Sequence, residues 1–403
     1  MPGNKERRGT VKNGKSDLGS KKKHVLLTGN TTFKLANFRE GLIRRLLADG
    51  HRVTVVAPPD EYVEKIRALG CDFVPLQMDR NGTSPISEAR LLFSIFKVIR
   101  RARPDVVFSY TIKNNIYSGI ACRGLGIPFL PNVTGLGPMF NATGLLNLTV
   151  RALYRVAFGK ARAVFFQNSS DLELFTGSRL VSMDRVRLLP GSGVDLNRFA
   201  ATTLPESGEV IRFLLVARLL WDKGVGIYAD AARKVRETFP QARFQLLGPL
   251  DPDSKSGVSA ADLEKLIAEG VVDYLGSTQD VVPFLQAAHC IVLPSYYREG
   301  TPRSLLEAGA VGRPIITTNM PGCRDVVVEY KSGFLVAPRD ADQLAAAFHA
   351  FLSLGPKAQA AMGAASRLHI EQTYDEEIVI GAYLGILKEL SGMSQPAQRK
   401  QAV

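Results

Sequence analysis

The chain has 403 residues, 45% of them hydrophobic, which is enough for two or three domains with cores of their own. It has no run of about 18 apolar residues, so no membrane-spanning helix is expected, and its basic N-terminus lacks the apolar stretch of a secretory signal. The four cysteines are scattered without a C-x-x-C pair. A zinc site or a disulfide framework is therefore not expected, and the pattern fits a protein of the reducing cytosol.

The formal net charge of +13 is distributed unevenly along the chain. Residues 1–200 contain 31 Lys and Arg against 15 Asp and Glu, whereas the remainder contains 20 against 23. This asymmetry predicts a polyanionic partner for the first half, either an anionic membrane surface or a nucleic acid. Residues 1–23 are largely Lys, Arg, Gly and Ser, which predicts a disordered basic tail. A solvated terminus without a partner is the alternative.

Short apolar runs alternate with stretches of helical periodicity from residue 24 onwards. The predicted strands of the first half are 24–28, 52–57, 73–76, 106–109, 129–133 and 163–167. Its predicted helices are 37–49, 62–69, 86–102, 115–125 and 145–160. Alternation of this kind is typical of a parallel sheet that is covered by helices on both faces.

The alternation restarts after a break rich in Gly, Ser and Pro between 190 and 208. The predicted strands of the second half are 211–217, 244–247, 271–275, 290–294, 315–318 and 334–336. Its predicted helices are 225–239, 260–269, 281–288, 302–311, 340–353 and 357–372. The fold class is therefore α/β, with two doubly wound Rossmann-like domains, 24–200 and 201–374. They face a central cleft at the carboxyl ends of both sheets, where such sheets bind ligands.

The segment 375–403 is predicted to hold a last helix, at about 375–391, which crosses back over the first domain, followed by a tail. No short tandem repeat is present in the sequence.

The segment 299–307 has the features of an anion site with two carboxylates. Thr301 is a good N-cap and Pro302 is favoured at the first helical position. A helix N-terminus at the mouth of a parallel sheet suits a diphosphate, and Glu299 and Glu307 could accept hydrogen bonds from paired hydroxyls. The free backbone amides are expected at Arg303, Ser304 and Leu305. An ordinary capped helix with two surface glutamates is the alternative.

A second constellation follows the first strand of the second half. Arg218 comes directly after the strand, and Lys223 lies five residues further on at a helix entrance. Two cations at one sheet edge could neutralise a leaving diphosphate, the Arg as a bidentate fork and the Lys as a point charge. The alternative is a pair of solvated surface cations.

These two constellations together resemble family 4 of the retaining glycosyltransferases, which have the GT-B fold. Glu299 and Glu307 match the E-x7-E motif of that family, and Arg218 and Lys223 match its R-x4-K pair. The resemblance covers nearly the whole chain after the tail. It implies an acceptor half that precedes a nucleotide half.

The resemblance implies a role for each matched residue. Arg218 and Lys223 would hold the donor phosphates and stabilise the departing nucleotide, Glu299 would hold the donor sugar, and Glu307 the ribose diol. The amides near Ser304 and Leu305 would meet the distal phosphate. Further implied donor contacts are Gly248, Tyr274 and Leu275 in the base pocket, Gly29 and Asn30 from the first half, and Gly300, Thr301 and Arg303 within the motif.

The first half is similar to a bacterial subgroup in the segments 37–39, 110–115 and 132–137. Members of this subgroup extend lipid-linked oligosaccharides, and several are N-acetylgalactosaminyl transferases that act on undecaprenyl-diphosphate-linked sugars. Thr134 stands where many family members have His, so no side-chain base is obvious. The implied mechanism is a front-face one, in which the leaving phosphate takes the acceptor proton. Arg39, Lys113 and Asn114 are candidates for acceptor binding, or else cap helices and turns.

The implied activity is retaining, metal-independent transfer of a sugar to a lipid-diphosphate-linked saccharide. The sugar would be an N-acetylhexosamine such as GalNAc, taken from a UDP-sugar, for bacterial surface glycans or protein glycosylation. No cofactor and no metal are expected. The sequence Asp251-Pro-Asp253 has the D-x-D form of a metal motif, but its Gly- and Pro-rich surroundings favour a solvated loop.

The helices at 86–103 and 145–162 combine large apolar side chains with several Lys and Arg. Basic amphipathic helices can lie on an anionic leaflet. The sequence therefore predicts a protein that sits peripherally on the cytoplasmic face of the membrane. The alternative is that the apolar faces are core and the charges are merely solvated.

Two other classes of function remain open. A nucleotide-sugar epimerase would need further acid/base carboxylates or a His in the cleft. A phosphorylase would need a Lys that binds pyridoxal phosphate. Neither set of residues is evident in the sequence. A nucleic-acid-binding protein would fit the isoelectric point near 9.6. The sequence has no helix-turn-helix, zinc-finger or RNP-type pattern, so no nucleic-acid partner is expected.

Overall fold

The computed structural model describes residues 21–78, 84–136, 145–206 and 210–392. The basic tail up to residue 20, Gly137 and the tail from 393 lie outside these ranges. The first domain holds a seven-stranded parallel sheet in the order β3-β2-β1-β4-β5-β6-β7. Its strands are β1 His24–Thr28, β2 Arg52–Ala57, β3 Asp72–Pro75, β4 Val106–Tyr110, β5 Phe129–Val133, β6 Val164–Phe166 and β7 Val186–Leu188.

Helices cover both faces of this sheet, as the apolar strands β4 and β5 require, since every residue in them is buried. The helices are α1 Thr32–Phe38, α2 Glu40–Ala48, α3 Val63–Ala68, α4 Pro85–Ala102, α5 Ile112–Leu125, α6 Leu145–Phe158 and α7 Ser169–Gly177. The order of strands reverses between β1 and β4, which places a ligand-binding crevice at the carboxyl ends of these two strands.

The prediction of a single helix at 37–49 is wrong. Two helices meet at Arg39, where the backbone leaves the helical region with φ −130° and ψ 11°. The first begins earlier because the Thr31 side chain accepts a hydrogen bond from the Lys34 amide and caps it. Helix α7 and strand β7 were not predicted.

The second domain holds a six-stranded parallel sheet in the order β10-β9-β8-β11-β12-β13. Its strands are β8 Arg212–Val216, β9 Arg243–Leu247, β10 Asp273–Tyr274, β11 Cys290–Leu293, β12 Ile315–Thr318 and β13 Gly333–Val336. Its helices are α8 Val225–Arg236, α9 Ala260–Ala268, α10 Val282–Ala287, α11 Arg303–Ala310, α12 Ala341–Leu352 and α13 Pro356–Thr373. The α/β class with two doubly wound parallel sheets is confirmed.

The last helix, α14 Glu376–Gly392, packs on the first domain. Val379, Ile380 and Tyr383 share one buried cluster with residues of β1, β2 and β4. The Tyr383 hydroxyl accepts a hydrogen bond of 3.1 Å from the Asn132 side-chain amide at the carboxyl end of β5. No helix within the described ranges is long and apolar enough to span a bilayer.

The two chain segments that connect the domains touch each other. The Val194 amide donates to the Tyr374 carbonyl at 2.8 Å, and the Glu376 amide donates to the Val194 carbonyl at 3.1 Å. Glu376 is packed closely here, because a Cβ on Gly193 would lie 2.4 Å from its Cα and one on Gly41 only 2.5 Å from its carboxylate. The crossing point is therefore tight and holds a carboxyl group.

The stability of this crossing should depend on pH. Burial raises the pKa of Glu376 to about 7, and Asp195 adds to the rise while Arg303 opposes it. Between its ordinary value of 4.5 and about 7 the folded state binds more protons than the unfolded one, so the free energy of unfolding falls as pH rises through this window. We therefore expect Glu376→Gln to raise Tm relative to the wild type at pH 8, with the difference vanishing near pH 4.5.

The matched control is Glu377→Gln on the same turn, whose side chain is 64% exposed. Thermal unfolding followed by circular dichroism between pH 4.5 and 8 measures both variants. An equal pH dependence of Tm in the two variants would contradict the assignment of the effect to Glu376.

Candidate functional site

The turn after β8 packs against the end of β11. Gly224 has φ +83°, and a Cβ there would lie 2.2 Å from the Pro294 carbonyl oxygen, so this close approach requires glycine. The approach brings Lys223 to the loop that follows β11. There the Lys223 ammonium forms an ion pair with the Glu299 carboxylate, and both side chains are less than one-fifth exposed.

The Glu299 carboxylate has further partners in its own loop. Ser295 donates its hydroxyl to the same oxygen at 3.0 Å. The Lys223 ammonium lies 5.9 Å from the centre of the Tyr297 ring, and burial raises the pKa of that phenol to about 12. Ser295 and Tyr297 were not among the predicted site residues. Their position just after a predicted strand, within the loop that carries Glu299, is the signal that could have found them.

Arg218 follows β8 in the same connection as Lys223 and is more accessible, with 56% of its side chain exposed. Its guanidinium forms an ion pair with Asp251. The Asp251 side chain is three-quarters buried against this cation, whereas Pro252 and Asp253 are exposed, as the interpretation of residues 251–253 as a solvated loop predicts.

The predicted base-pocket residues lie together at the carboxyl ends of β9 and β10. The Tyr274 hydroxyl donates to the Gly248 carbonyl at 3.0 Å, and the Leu275 amide donates to the Leu246 carbonyl at 2.9 Å. A Cβ on Gly248 would lie 1.8 Å from the Ala217 carbonyl oxygen. This glycine therefore lets the pocket approach the turn that carries Arg218.

Helix α11, which carries Glu307, starts one residue later than predicted. Helix α11 begins at Arg303 with Pro302 as its N-cap, so the prediction of Thr301 as the N-cap is wrong. The Thr301 hydroxyl donates instead to the Gln167 carbonyl of the first domain at 3.1 Å. The Leu305 amide is not free either, because it donates to the Pro302 carbonyl at 3.1 Å. The predicted anion site is thereby reduced to the amides of Arg303 and Ser304.

Glu307 lies one turn inside α11 and is paired with Arg303. The Arg303 Nε donates to the Glu307 carboxylate at 3.0 Å, and these side chains are 11% and 14% exposed. Burial raises the pKa of Glu307, and the charge of Arg303 opposes the rise. Arg303 also donates at 2.7 Å to the Gly193 carbonyl in the connection between the domains.

The first-domain candidates for donor contact lie at the carboxyl end of β1. The Gly29 amide donates to the Val56 carbonyl at 3.2 Å, so it is already engaged. The Asn30 side-chain oxygen accepts from the Lys34 ammonium at 3.3 Å.

Among the acceptor candidates, Thr134 contacts the loop that carries Glu299. A Cβ on Gly300 would lie 2.6 Å from the Thr134 carbonyl oxygen. The other three candidates are held within the first domain. The Arg39 guanidinium lies 4.4 Å above the Tyr110 ring, Lys113 pairs with Glu88 at 2.5 Å, and the fully buried Asn114 donates to the Thr111 hydroxyl at 3.1 Å.

A few first-domain residues beside the Glu299 loop were also missed. Asn168 donates its side-chain amide to the Glu299 carbonyl at 3.3 Å, and Asp171 pairs with Arg298 at 3.0 Å. Both belong to the start of α7, a helix that was not predicted. Within the part of the chain that the structure describes, no group of three His, Cys, Asp or Glu could hold a metal ion.

Two doubly wound parallel sheets, in domains that touch through loops at the carboxyl ends of their strands, are the architecture of the GT-B glycosyltransferases. The Glycosyl transferase 4-like domain matches residues 36–191, and the Glycosyl transferases group 1 domain matches residues 200–369. The chain therefore belongs to the family 4 glycosyltransferases of GT-B fold.

Two curated relatives are similar over most of their length. The N,N'-diacetylbacillosaminyl-diphospho-undecaprenol alpha-1,3-N-acetylgalactosaminyltransferase of Campylobacter jejuni is 28% identical over 76% of this chain and 84% of its own. The UDP-Gal:alpha-D-GlcNAc-diphosphoundecaprenol alpha-1,3-galactosyltransferase of Escherichia coli is 29% identical over 71% of this chain and 75% of its own.

Solved structures share the fold. A glycosyltransferase from Rickettsia africae superposes with a TM-score of 0.76 at 16% identity, covering 93% of this chain and all of its own. Anabaena HepE in complex with UDP has a TM-score of 0.72 at 18% identity, covering 91% of this chain and all of its own. At these identities the likeness establishes the two-domain fold alone.

Proposed function

We propose that the protein is a retaining, metal-independent transferase that moves an N-acetylhexosamine, such as GalNAc, from a UDP-sugar to a polyprenyl-diphosphate-linked saccharide. The observation that carries the proposal is the Lys223–Glu299 pair at the joined ends of β8 and β11, with Arg218 in the same connection after β8 as Lys223. The names of the two curated relatives support the acceptor class, and one of them names a UDP-sugar donor. The product would serve a bacterial surface glycan or protein glycosylation.

In this proposal the second domain binds the donor through opposite charges. Arg218 and Lys223 neutralise the diphosphate, whose negative charge grows as the sugar leaves. The amides of Arg303 and Ser304 at the start of α11 add the partial positive charge of a helix N-terminus. Glu307 accepts hydrogen bonds from the ribose diol, and Glu299 accepts them from the donor sugar.

The proposed transfer needs no side-chain base. The bond between the anomeric carbon and the diphosphate breaks, and the acceptor oxygen bonds to the same face of that carbon. The proton of the acceptor hydroxyl passes to the departing phosphate oxygen, so the charges balance. Thr134, which touches the loop of Glu299, has a hydroxyl that can orient the acceptor but cannot serve as a base at neutral pH.

The fluorescence of the one tryptophan of the sequence can report which nucleotide-sugar donor binds. Trp221 starts the short 3-10 helix that ends at Lys223, so its fluorescence should respond when a diphosphate binds beside it. Titration with UDP-, GDP- and ADP-sugars should give the tightest binding with UDP-sugars, and a lipid-diphosphate saccharide should then stimulate UDP release. Loss of the UDP-sugar without dependence on the acceptor would favour an epimerase or a hydrolase instead.

Asp251 should compete with the donor for Arg218. The carboxylate occupies the guanidinium that the diphosphate needs, and its own charge repels the phosphates. We therefore expect Asp251→Asn to tighten UDP binding about two- to fivefold, the range of one partly exposed ion pair. Calorimetric titration of UDP measures the effect, with Asp253→Asn as the control in the same loop. Weaker binding by Asp251→Asn would show that this carboxylate orients Arg218 rather than competing for it.

We further propose that the first domain docks on the anionic, cytoplasmic leaflet of the membrane. The basic excess of residues 1–200 supports this docking. Leu91, Ile95 and Ile99 of α4 are core residues, whereas Phe93 is 69% exposed and Leu148 of α6 is 65% exposed. The structure does not describe the side chains of Leu145 and Leu146.

Helices α4, α5 and α6 pack side by side on one face of the sheet, with α5 in contact with both of the others, and α4 and α6 each carry exposed apolar side chains. The exposed cations Arg90, Lys97 and Arg100 lie along α4. Apolar side chains flanked by cations suit the boundary between acyl chains and headgroups.

Replacing Phe93 and Leu148 together by Ser should weaken sedimentation with anionic liposomes by about tenfold or more, since each side chain contributes roughly 1.5–3 kcal/mol when fully buried. Ile267→Ser is the control, because Ile267 is 41% exposed on the second domain. Equal recovery of the wild type with anionic and neutral liposomes would contradict the docking.

A further inference from the structure

A buried ion pair connects the two domains beside the donor-side loop. Asp171 lies in the first turn of α7, in the first domain, and its side chain has no exposed surface. It accepts a hydrogen bond of 3.0 Å from Arg298, which directly precedes Glu299 in the second domain. Burying a carboxylate is costly unless it is paired, so this contact holds the Arg298 backbone close to α7.

Asn168 extends the connection to the backbone of Glu299 itself. Its side-chain oxygen caps α7 by accepting from the Asp171 amide at 2.8 Å. Its side-chain nitrogen lies 3.1 Å from the Asp171 carboxylate, 3.3 Å from the Glu299 carbonyl and 3.4 Å from the Gly300 carbonyl. One amide group therefore joins the start of α7 to the peptide that carries the sugar-binding carboxylate.

Gly300 fits a narrow space between the domains. A Cβ there would lie 2.5 Å from the side-chain oxygen of Gln167, at the carboxyl end of β6. On the other side, a Cβ on Gly322 would lie 1.9 Å from the Gly300 carbonyl oxygen. The loop is thus fixed between the first domain and its own domain, and its position depends on contact with both.

The remaining donor contacts depend less on the first domain. Arg218 pairs with Asp251, and Arg303 pairs with Glu307, all within the second domain, while Arg303 also donates to the Gly193 carbonyl in the connection between the domains. The proposed nucleotide contacts therefore lie mainly in the second domain, whereas the loop that carries Glu299 is held directly by the first.

We propose that Asn168, Asp171 and Arg298 are positioning residues that set the Glu299 carboxylate for the donor sugar only while the two domains are in contact. This inference rests on the proposed role of Glu299 toward the sugar. The first domain then contributes to recognition of the donor sugar as well as to binding the acceptor. Nucleotide affinity and sugar affinity become separable by substitutions in α7, a helix of the other domain.

The test compares UDP with the UDP-sugar in calorimetric titrations of the full chain, together with steady-state transfer. Asp171→Asn and Asn168→Ala should each bind UDP with a Kd within about threefold of the wild-type value. Each should also lower by at least about tenfold either kcat or the factor by which the UDP-sugar binds more tightly than UDP. Such a loss corresponds to about 1.4 kcal/mol. Arg298→Gln should behave alike, and the double variant Asp171→Asn/Arg298→Gln should be no worse than either single one.

Glu389→Gln is the control. The Arg162–Glu389 pair of 3.1 Å joins α14 to the first domain, but it is exposed and does not involve the loop that carries Glu299. Wild-type behaviour of Asn168→Ala and Arg298→Gln would overturn the inference, and so would a parallel loss of UDP affinity and kcat in every variant. A wild type that binds UDP-sugars but transfers nothing would reject the proposed function instead, while the comparison of UDP with UDP-sugar would still decide the role of these residues.

Discussion

Replacing Lys223 by Ala should lower kcat by about 10²- to 10³-fold, the usual cost of removing one preorganised group that stabilises developing charge. The diphosphate gains negative charge as it leaves, and Lys223 is the less exposed of the two cations at this point. The substitution also leaves the Glu299 carboxylate, which is 12% exposed, without its cation. The fold should persist, because Ser295 still donates to Glu299. Steady-state transfer and the far-UV circular dichroism spectrum check both statements.

Lys234→Ala is the matched control for this variant. Lys234 also pairs with a carboxylate, that of Asp342, but both side chains are about half exposed or more. A surface pair of this kind contributes little, so the control should turn over like the wild type. Turnover of Lys223→Ala within twofold of the control would remove Lys223 from the site.

Glu307→Ala should abolish measurable transfer and weaken UDP binding by about 10- to 100-fold. A hydrogen bond to a charged group contributes roughly 1.5–3 kcal/mol, and the ribose diol would lose such bonds. The change also leaves Arg303, which is 11% exposed, with the Gly193 carbonyl but without its carboxylate. Calorimetric titration of UDP and steady-state transfer measure the two effects.

Helix α13 offers a matched control for Glu307. Arg367 and Glu371 form the same i, i+4 pair as Arg303 and Glu307, but Glu371 is 43% exposed and Arg367 donates to the Ala310 carbonyl at the opposite end of α11. Glu371→Ala should therefore bind UDP like the wild type. Equal UDP affinities in Glu307→Ala and Glu371→Ala would overturn the assignment of Glu307 to the ribose.

Much of the fold could be predicted because buried parallel strands are continuous apolar runs. Strand β5, for example, is fully buried, and its bounds agree with the predicted ones. The residues of the proposed donor side could be singled out, since Arg218 with Lys223 and Glu299 with Glu307 are close in the chain, and their roles stay a prediction. Arg218 and Lys223 lie in the one connection after β8, and Glu299 and Glu307 lie on either side of the start of α11.

The rest of the site depends on contacts between distant segments. Nothing local indicates that Asp251 meets Arg218, or that Thr301 turns its hydroxyl to the first domain rather than to its own helix. The start of α7 was missed for the same reason. Nothing in the sequence near Asp171 indicates that its carboxylate is buried and paired with Arg298 from the other domain.

The most direct test is mass spectrometry of a lipid-diphosphate-linked saccharide after incubation with a UDP-N-acetylhexosamine and the full chain. The expected result is an acceptor heavier by one N-acetylhexosamine, with UDP released in equal amount. Lys223→Ala should form this product at least about 100-fold more slowly. An unchanged acceptor with every UDP-sugar that the protein binds, or equal product from Lys223→Ala, would contradict the proposed transferase and its site.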